Sequence, residues 1–167
     1  MDRERLSTAL GALWGMSEEL DRLGSPYGSE QREWIQEVLS CINELVWPVP
    51  GATGVSDGTT EHAARGIGPA IDIPARQGST VVAAHDGEVV FAGPKGDAGT
   101  TVQVENEHYR TQYSHLDGIE VFTFDHVKAG ESIGMVGMTG LTTGPHLHFV
   151  VWEDGERVRP EGYDYSY

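Results

Sequence analysis

The chain has 167 residues, 26 of them acidic against 11 lysines and arginines, for a formal net charge of −15. This length accommodates one main domain with a small appendage. Lys95 and Lys128 are its only lysines, so the basic footprint that nucleic acid or an anionic membrane surface demands is missing, and neither partner is expected. A cationic partner suits the charge, as does a plain solvated acidic surface.

Charged residues fill Met1 to Arg5, and the apolar residues that follow are broken by Ser7, Gly11, Gly15 and Ser17. No export signal is read there, and no segment is long enough to cross a bilayer. The expected route is therefore cytoplasmic synthesis, with incorporation into a virion or release by a non-classical path; the compartment itself is not specified. Cys41 is the only cysteine, which rules out an intrachain disulfide.

Leu6, Leu10, Leu13, Leu20 and Leu23 recur at helical spacing, and Gly24-Ser25-Pro26 ends that run. A second apolar face follows in Trp34, Ile35, Val38, Leu39, Ile42 and Leu45, with Ser29 as its N-cap. The spacing predicts a helical hairpin over residues 1–46, packing on the rest of the chain or docking a protein partner. Pro48 and Pro50 end it, and residues 47–67 read as linker and loop, rich in Gly and Thr and carrying His62.

Residues 68–167 have a different texture. Short β-like runs are separated by glycine turns: Ala70 to Ile73, Thr80 to Ala84, Glu88 to Ala92, Thr100 to Val104, Tyr109 to Tyr113, Ile119 to Phe122, Ile133 to Val136 and His146 to Trp152. Asp86-Gly87 and Asp154-Gly155 are hairpin signals. The pattern predicts a mainly β domain, an antiparallel sandwich or partly closed barrel. In the last run His146 and His148 share one strand face while Leu147, Phe149 and Val151 share the other. That arrangement presents two imidazoles to a metal or substrate; two solvent-facing histidines on an exposed strand give the same pattern.

The order of these pieces resembles the lysostaphin-type (LytM-like) zinc endopeptidases that cut peptide cross-links in bacterial peptidoglycan. The resemblance runs through Ala70-Ile71-Asp72-Ile73-Pro74, Gly78 to Val89, Tyr113-Ser114-His115-Leu116, Gly137-Met138-Thr139-Gly140 and Gly144-Pro145-His146-Leu147-His148-Phe149, and continues to Pro160. It implies a zinc ion held by three protein ligands with an open position. Asp72 and His148 match two of the ligands. His115 and His146 match the residues that activate water and stabilise developing charge. The remaining ligand, a histidine four residues before the aspartate, falls on Gly68, which has no side chain.

Each ligand of a structural zinc site carries on the order of 3 kcal/mol, about a hundredfold in affinity. With two ligands, zinc binding is expected to be weak or absent unless His62 substitutes. Three functions follow. The favoured expectation is a degenerate binding or scaffolding module directed at peptidoglycan or another cell-envelope polymer. The alternatives are an active zinc endopeptidase using a substitute ligand, and a structural component of a phage tail or envelope machine.

Overall fold

The computed structural model describes residues 45–163, 165 and 166, together with 12, 13, 15, 16, 19, 22 and 23. The chain divides into two compact units, Met1–Glu44 and Leu45–Tyr167. Ala12, Leu13, Gly15, Met16, Glu19 and Arg22 are helical and Leu23 lies in a turn; Leu45 and Val46, expected to close the second helix, are not helical, and the rest of the expected hairpin, including Cys41, lies outside the described residues. Among the described residues no helix is long and apolar enough to cross a membrane.

In the second unit a short helix α1 (Thr59–Ala64) precedes nine strands: β1 (Ile71–Pro74), β2 (Thr80–Val82), β3 (Gly87–Pro94), β4 (Thr100–Glu105), β5 (Tyr109–Ile119), β6 (His126–Val127), β7 (Ser132–Val136), β8 (His146–Glu153) and β9 (Glu156–Val158). All nine belong to one antiparallel sheet with the main path β1-β8-β5-β4-β3-β6. The sheet branches where strands share an edge. On β8, β1 takes residues 146–149 and β9 takes 151–153. On β5, β8 takes residues 109–114 and β7 takes 116–119, and β2 pairs with β7 beyond.

This open, branched sheet replaces the expected sandwich or partly closed barrel. Strand spacing could not distinguish them, because the branch is created inside β5, where register shifts between Leu116 and Gly118 let one strand serve two partners. The same continuity corrects the expected strand at Ile119 to Phe122. Ile119 closes β5, and the next strand is only His126–Val127. Asp154-Gly155 forms the β8–β9 hairpin turn, with φ of 50° and 83° at the two residues, the conformation a two-residue I′ turn requires. Asp86-Gly87 makes no hairpin, since β2 pairs with β7 and β3 with β4 and β6. The Asp86 carboxylate instead accepts from the Ala129 amide at 2.7 Å and from Lys128 Nζ at 2.8 Å.

The core follows the period-2 pattern. Ile71 and Ile73 of β1 and Leu147, Phe149 and Val151 of β8 are fully buried, and Tyr113 of β5 meets Phe149 with ring centroids 5.4 Å apart. The segment before α1 joins the same cluster through Leu45, Trp47 and Val49. Trp47 packs edge-on against Tyr165 at 5.0 Å and donates its indole N–H to Ala52 O at 2.9 Å.

His85 is buried beside this core. Its Nε2 lies 3.0 Å from Thr111 Oγ1, and the Thr111 and Tyr113 hydroxyls share a 2.8 Å hydrogen bond. Burial disfavours the imidazolium, offset only partly by the Asp86 carbonyl and carboxylate, so the His85 pKa falls below its ordinary 6.5. The unfolded chain then binds this proton more readily than the folded one. Stability from this group is intact above about pH 6.5 and declines as pH falls towards the lowered folded-state value. Thermal melts across that window should show a flatter pH dependence for His85→Gln than for the parent chain, and an equal slope in both would contradict this assignment.

Candidate metal centre

β1 and β8 pair in register with Asp72 opposite His148 and Pro74 opposite His146. The alternation that buries Ile71 and Ile73 turns Asp72 to the other face, and the alternation of β8 turns His146 and His148 there too. Asp72 Oδ1 becomes a hub. It lies 2.8 Å from His148 Nδ1, 3.3 Å from His62 Nε2 and 3.6 Å from His146 Nε2. Burial raises the Asp72 pKa, but the hydrogen bond from His148 and the charges of His146, His148 and His62 outweigh it, so the carboxyl is held below its ordinary value.

His62 reaches this hub from α1, a different element from the one that bears Gly68. Its side chain is 2% exposed. The Asp57 carbonyl accepts from the Asp72 amide at 2.8 Å, and the Asp72 carbonyl accepts from Ser56 N–H at 2.9 Å, stitching the start of α1 to β1. One helical turn later, His62 Nδ1 sits 2.9 Å from the Gly58 carbonyl. Nδ1–H is therefore the donor, and the lone pair on Nε2 faces Asp72.

His62, Asp72 and His148 each offer one ligand atom, and the three atoms lie within 4.8 Å of one another. Zinc bonds to nitrogen and carboxylate oxygen of about 2.0–2.2 Å at tetrahedral angles put donors about 3.4 Å apart. The 3.3 Å His62–Asp72 separation matches this, and the His148–Asp72 pair, a hydrogen bond at 2.8 Å, is shorter. The two imidazoles and one carboxylate thus fit zinc, with His62 standing beside the Asp72–His148 pair as a third donor.

Gly68 has φ of +86°, and a β-carbon there would lie 3.2 Å from Arg157 Nη1. The Arg157 guanidinium fills the space beside it, donating from Nε to Pro69 O at 2.6 Å and from Nη1 to Ile67 O at 2.7 Å. No sequence signal indicated this role for Arg157, because its partners are distant in the chain.

His115 and His146 face each other with ring centroids 4.9 Å apart, and His115 lies 5.9 Å from His148. His115 has φ of +64°, a left-handed conformation at the point where β5 changes partner. Its Nδ1 is 2.8 Å from Thr139 O. Thr139 is held there by a close backbone approach, since a β-carbon on Gly99 would meet the Thr139 carbonyl at 2.4 Å. His146 Nδ1 is 2.9 Å from Gly144 O and 3.2 Å from Thr142 Oγ1. With Nδ1–H donating to a carbonyl in each ring, Nε2 is left as the acceptor in both.

A cleft of about 560 Å³ runs over this face, lined by His62, Asp72, His115, His146 and His148 and walled by Arg157 and Trp152. The wall also carries an Asp57–Arg65 ion pair at 2.7 Å. His108 and His126 line other surface depressions.

Comparison with known proteins places the domain in a family. Residues 67–160 match the model of peptidase family M23. A DD-carboxypeptidase/endopeptidase Mpg from Neisseria meningitidis is 41% identical over 91 residues, covering 54% of this chain and 21% of that protein. The murein hydrolase activator NlpD of Salmonella dublin is 34% identical over 124 residues, covering 73% of this chain and 32% of that protein. The chain therefore spans about a fifth to a third of the length of these curated relatives. The crystal structure of a zinc-containing peptidase from Vibrio cholerae superposes with a TM-score of 0.65 at 30% identity, covering 74% of this chain and 41% of that one. With the family match spanning more than half of its residues, the chain belongs to peptidase family M23, the lysostaphin-type peptidases.

Proposed function

We propose that this chain is a zinc-dependent endopeptidase acting on the peptides of peptidoglycan, with His62 as the ligand that Gly68 cannot supply. The observation that carries this reading is His62 Nε2 lying 3.3 Å from Asp72 Oδ1, in one group of donors with His148. The names of the relatives, a carboxypeptidase/endopeptidase and a murein hydrolase activator, supply the substrate class.

When bound, zinc supplies Lewis-acid polarisation and activates a nucleophile at neutral pH. Asp72, His148 and His62 would hold it. The acceptor Nε2 of His146 or His115 takes the proton of the attacking water. His146 Nε2 lies 3.6 Å from Asp72 Oδ1, directly beside the donor group. The second histidine lies against the first and hydrogen-bonds the peptide oxygen only in its imidazolium form, in which Nε2 also carries a proton. The left-handed backbone of His115 and its bond to Thr139 fix that ring before substrate arrives.

The test is digestion of purified peptidoglycan by protein stripped with a chelator and then given stoichiometric zinc. Release of new peptide amino groups should appear with zinc and vanish without it. Absence of release in both conditions, with retained binding to the polymer, would favour a non-hydrolytic module. Similarity to an NlpD named as an activator of murein hydrolases makes that the second reading.

A further inference from the structure

His62 lies before the segment that matches the family, and so does the whole of α1. A ligand delivered by a six-residue helix cannot rely on that helix's own stability, because isolated helices shorter than about 12 residues are marginal in water. Something else must fix α1 over the sheet.

The structure provides that anchor at Glu161, in the 3-10 turn Pro160–Gly162 just beyond the matched segment. The Thr59 amide donates to Glu161 Oε1 at 2.5 Å and the Thr59 hydroxyl donates to Oε2 at 2.6 Å. Both carboxylate oxygens are thus committed to the first residue of α1. The neighbouring orphan amide, Gly58 N–H, is taken by Glu61 Oε2 at 3.1 Å, so among the described residues Glu161 supplies the only long-range side-chain acceptor at this helix end. The fit is close: a β-carbon on Gly58 would lie 2.7 Å from Glu161 Oε1. Gly58 is also the residue whose carbonyl accepts from the His62 backbone at 3.1 Å and from its Nδ1 at 2.9 Å. The path from Glu161 to the ligand is therefore short and continuous: carboxylate, Thr59, Gly58 carbonyl, imidazole.

We infer that Glu161 is a positioning residue for His62, holding the metal-facing nitrogen in place from the opposite end of the domain's sequence. This rests on the assignment of His62 as a zinc ligand. Partners that orient ligands in this way typically carry about 10–100-fold in metal affinity.

The test is zinc affinity of the full chain, measured by competition with a chromophoric chelator, for Glu161→Ala, Glu161→Gln, His62→Ala and the double variant. Glu161→Ala should bind zinc about tenfold more weakly, and Glu161→Gln, which keeps an acceptor oxygen for Thr59, should recover most of that loss. In the His62→Ala background the Glu161 substitution should have no further effect, because it acts through the missing ring. An unchanged affinity in Glu161→Ala, or an equal loss with and without His62, would overturn the inference and leave His62 as a ligand. An unchanged affinity in His62→Ala would remove the underlying assignment instead. Should Glu161→Ala fail to fold, Thr59→Val removes the hydroxyl side of the contact alone. A loss of a few-fold that disappears in the His62→Ala background supports the inference, and an unaltered affinity overturns it.

Discussion

Replacing His62 with alanine is expected to lower zinc affinity about a hundredfold and to reduce peptidoglycan digestion to background at limiting zinc. The reduction follows from going from three protein donors to two, each carrying on the order of 3 kcal/mol. Water in the vacated position neither holds the ion against the sheet nor fixes its orientation. The side chain is 2% exposed and is tied by Nδ1 to Gly58, so no neighbouring side chain moves freely into its place. His148→Ala should match this loss, whereas His108→Ala, at a half-exposed ring paired with Asp154, should leave affinity unchanged. Chelator competition on the folded variants measures all three, and equal affinity in parent and His62→Ala would refute the assignment.

Restoring a histidine at the position the family pattern names is expected to fail. Gly68→His in the His62→Ala background should leave the hundredfold deficit in place and lower stability by about 1–2 kcal/mol, the cost of a left-handed backbone for a residue with a β-carbon. Gly68 has φ of +86°, and the added β-carbon would press on Arg157 at 3.2 Å. Arg157 cannot simply withdraw, because its guanidinium holds the carbonyls of Ile67 and Pro69. Recovery of zinc binding and digestion by Gly68→His would show that the two positions are interchangeable and that the backbone at 68 is not committed to glycine.

The strand-borne half of the site was legible because it obeys local periodicity. Asp72 between two buried isoleucines, and His146 and His148 between buried Leu147 and Phe149, are positions where the two-residue repeat alone fixes the face. His115 was visible only through family resemblance, since its orientation depends on a left-handed residue at a change of strand partner. His62 could be raised as a substitute but not assigned. The stretch Thr59-Thr60-Glu61-His62-Ala63-Ala64 is too short to show a helical stripe, and its anchor Glu161 lies 102 residues from Thr59 in sequence. The open sheet escaped for a related reason: the run from Tyr109 to Ile119 reads as two strands with a break, whereas a bulge keeps it as one strand with two neighbours.

The most direct measurement is the anomalous signal at the zinc edge from crystals grown with stoichiometric zinc. The account predicts one strong peak on the cleft floor, about 2.0–2.2 Å from His62 Nε2, Asp72 Oδ1 and His148 Nδ1. A peak bound by Asp72 and His148 with His62 turned away, or no peak at that position, would contradict it.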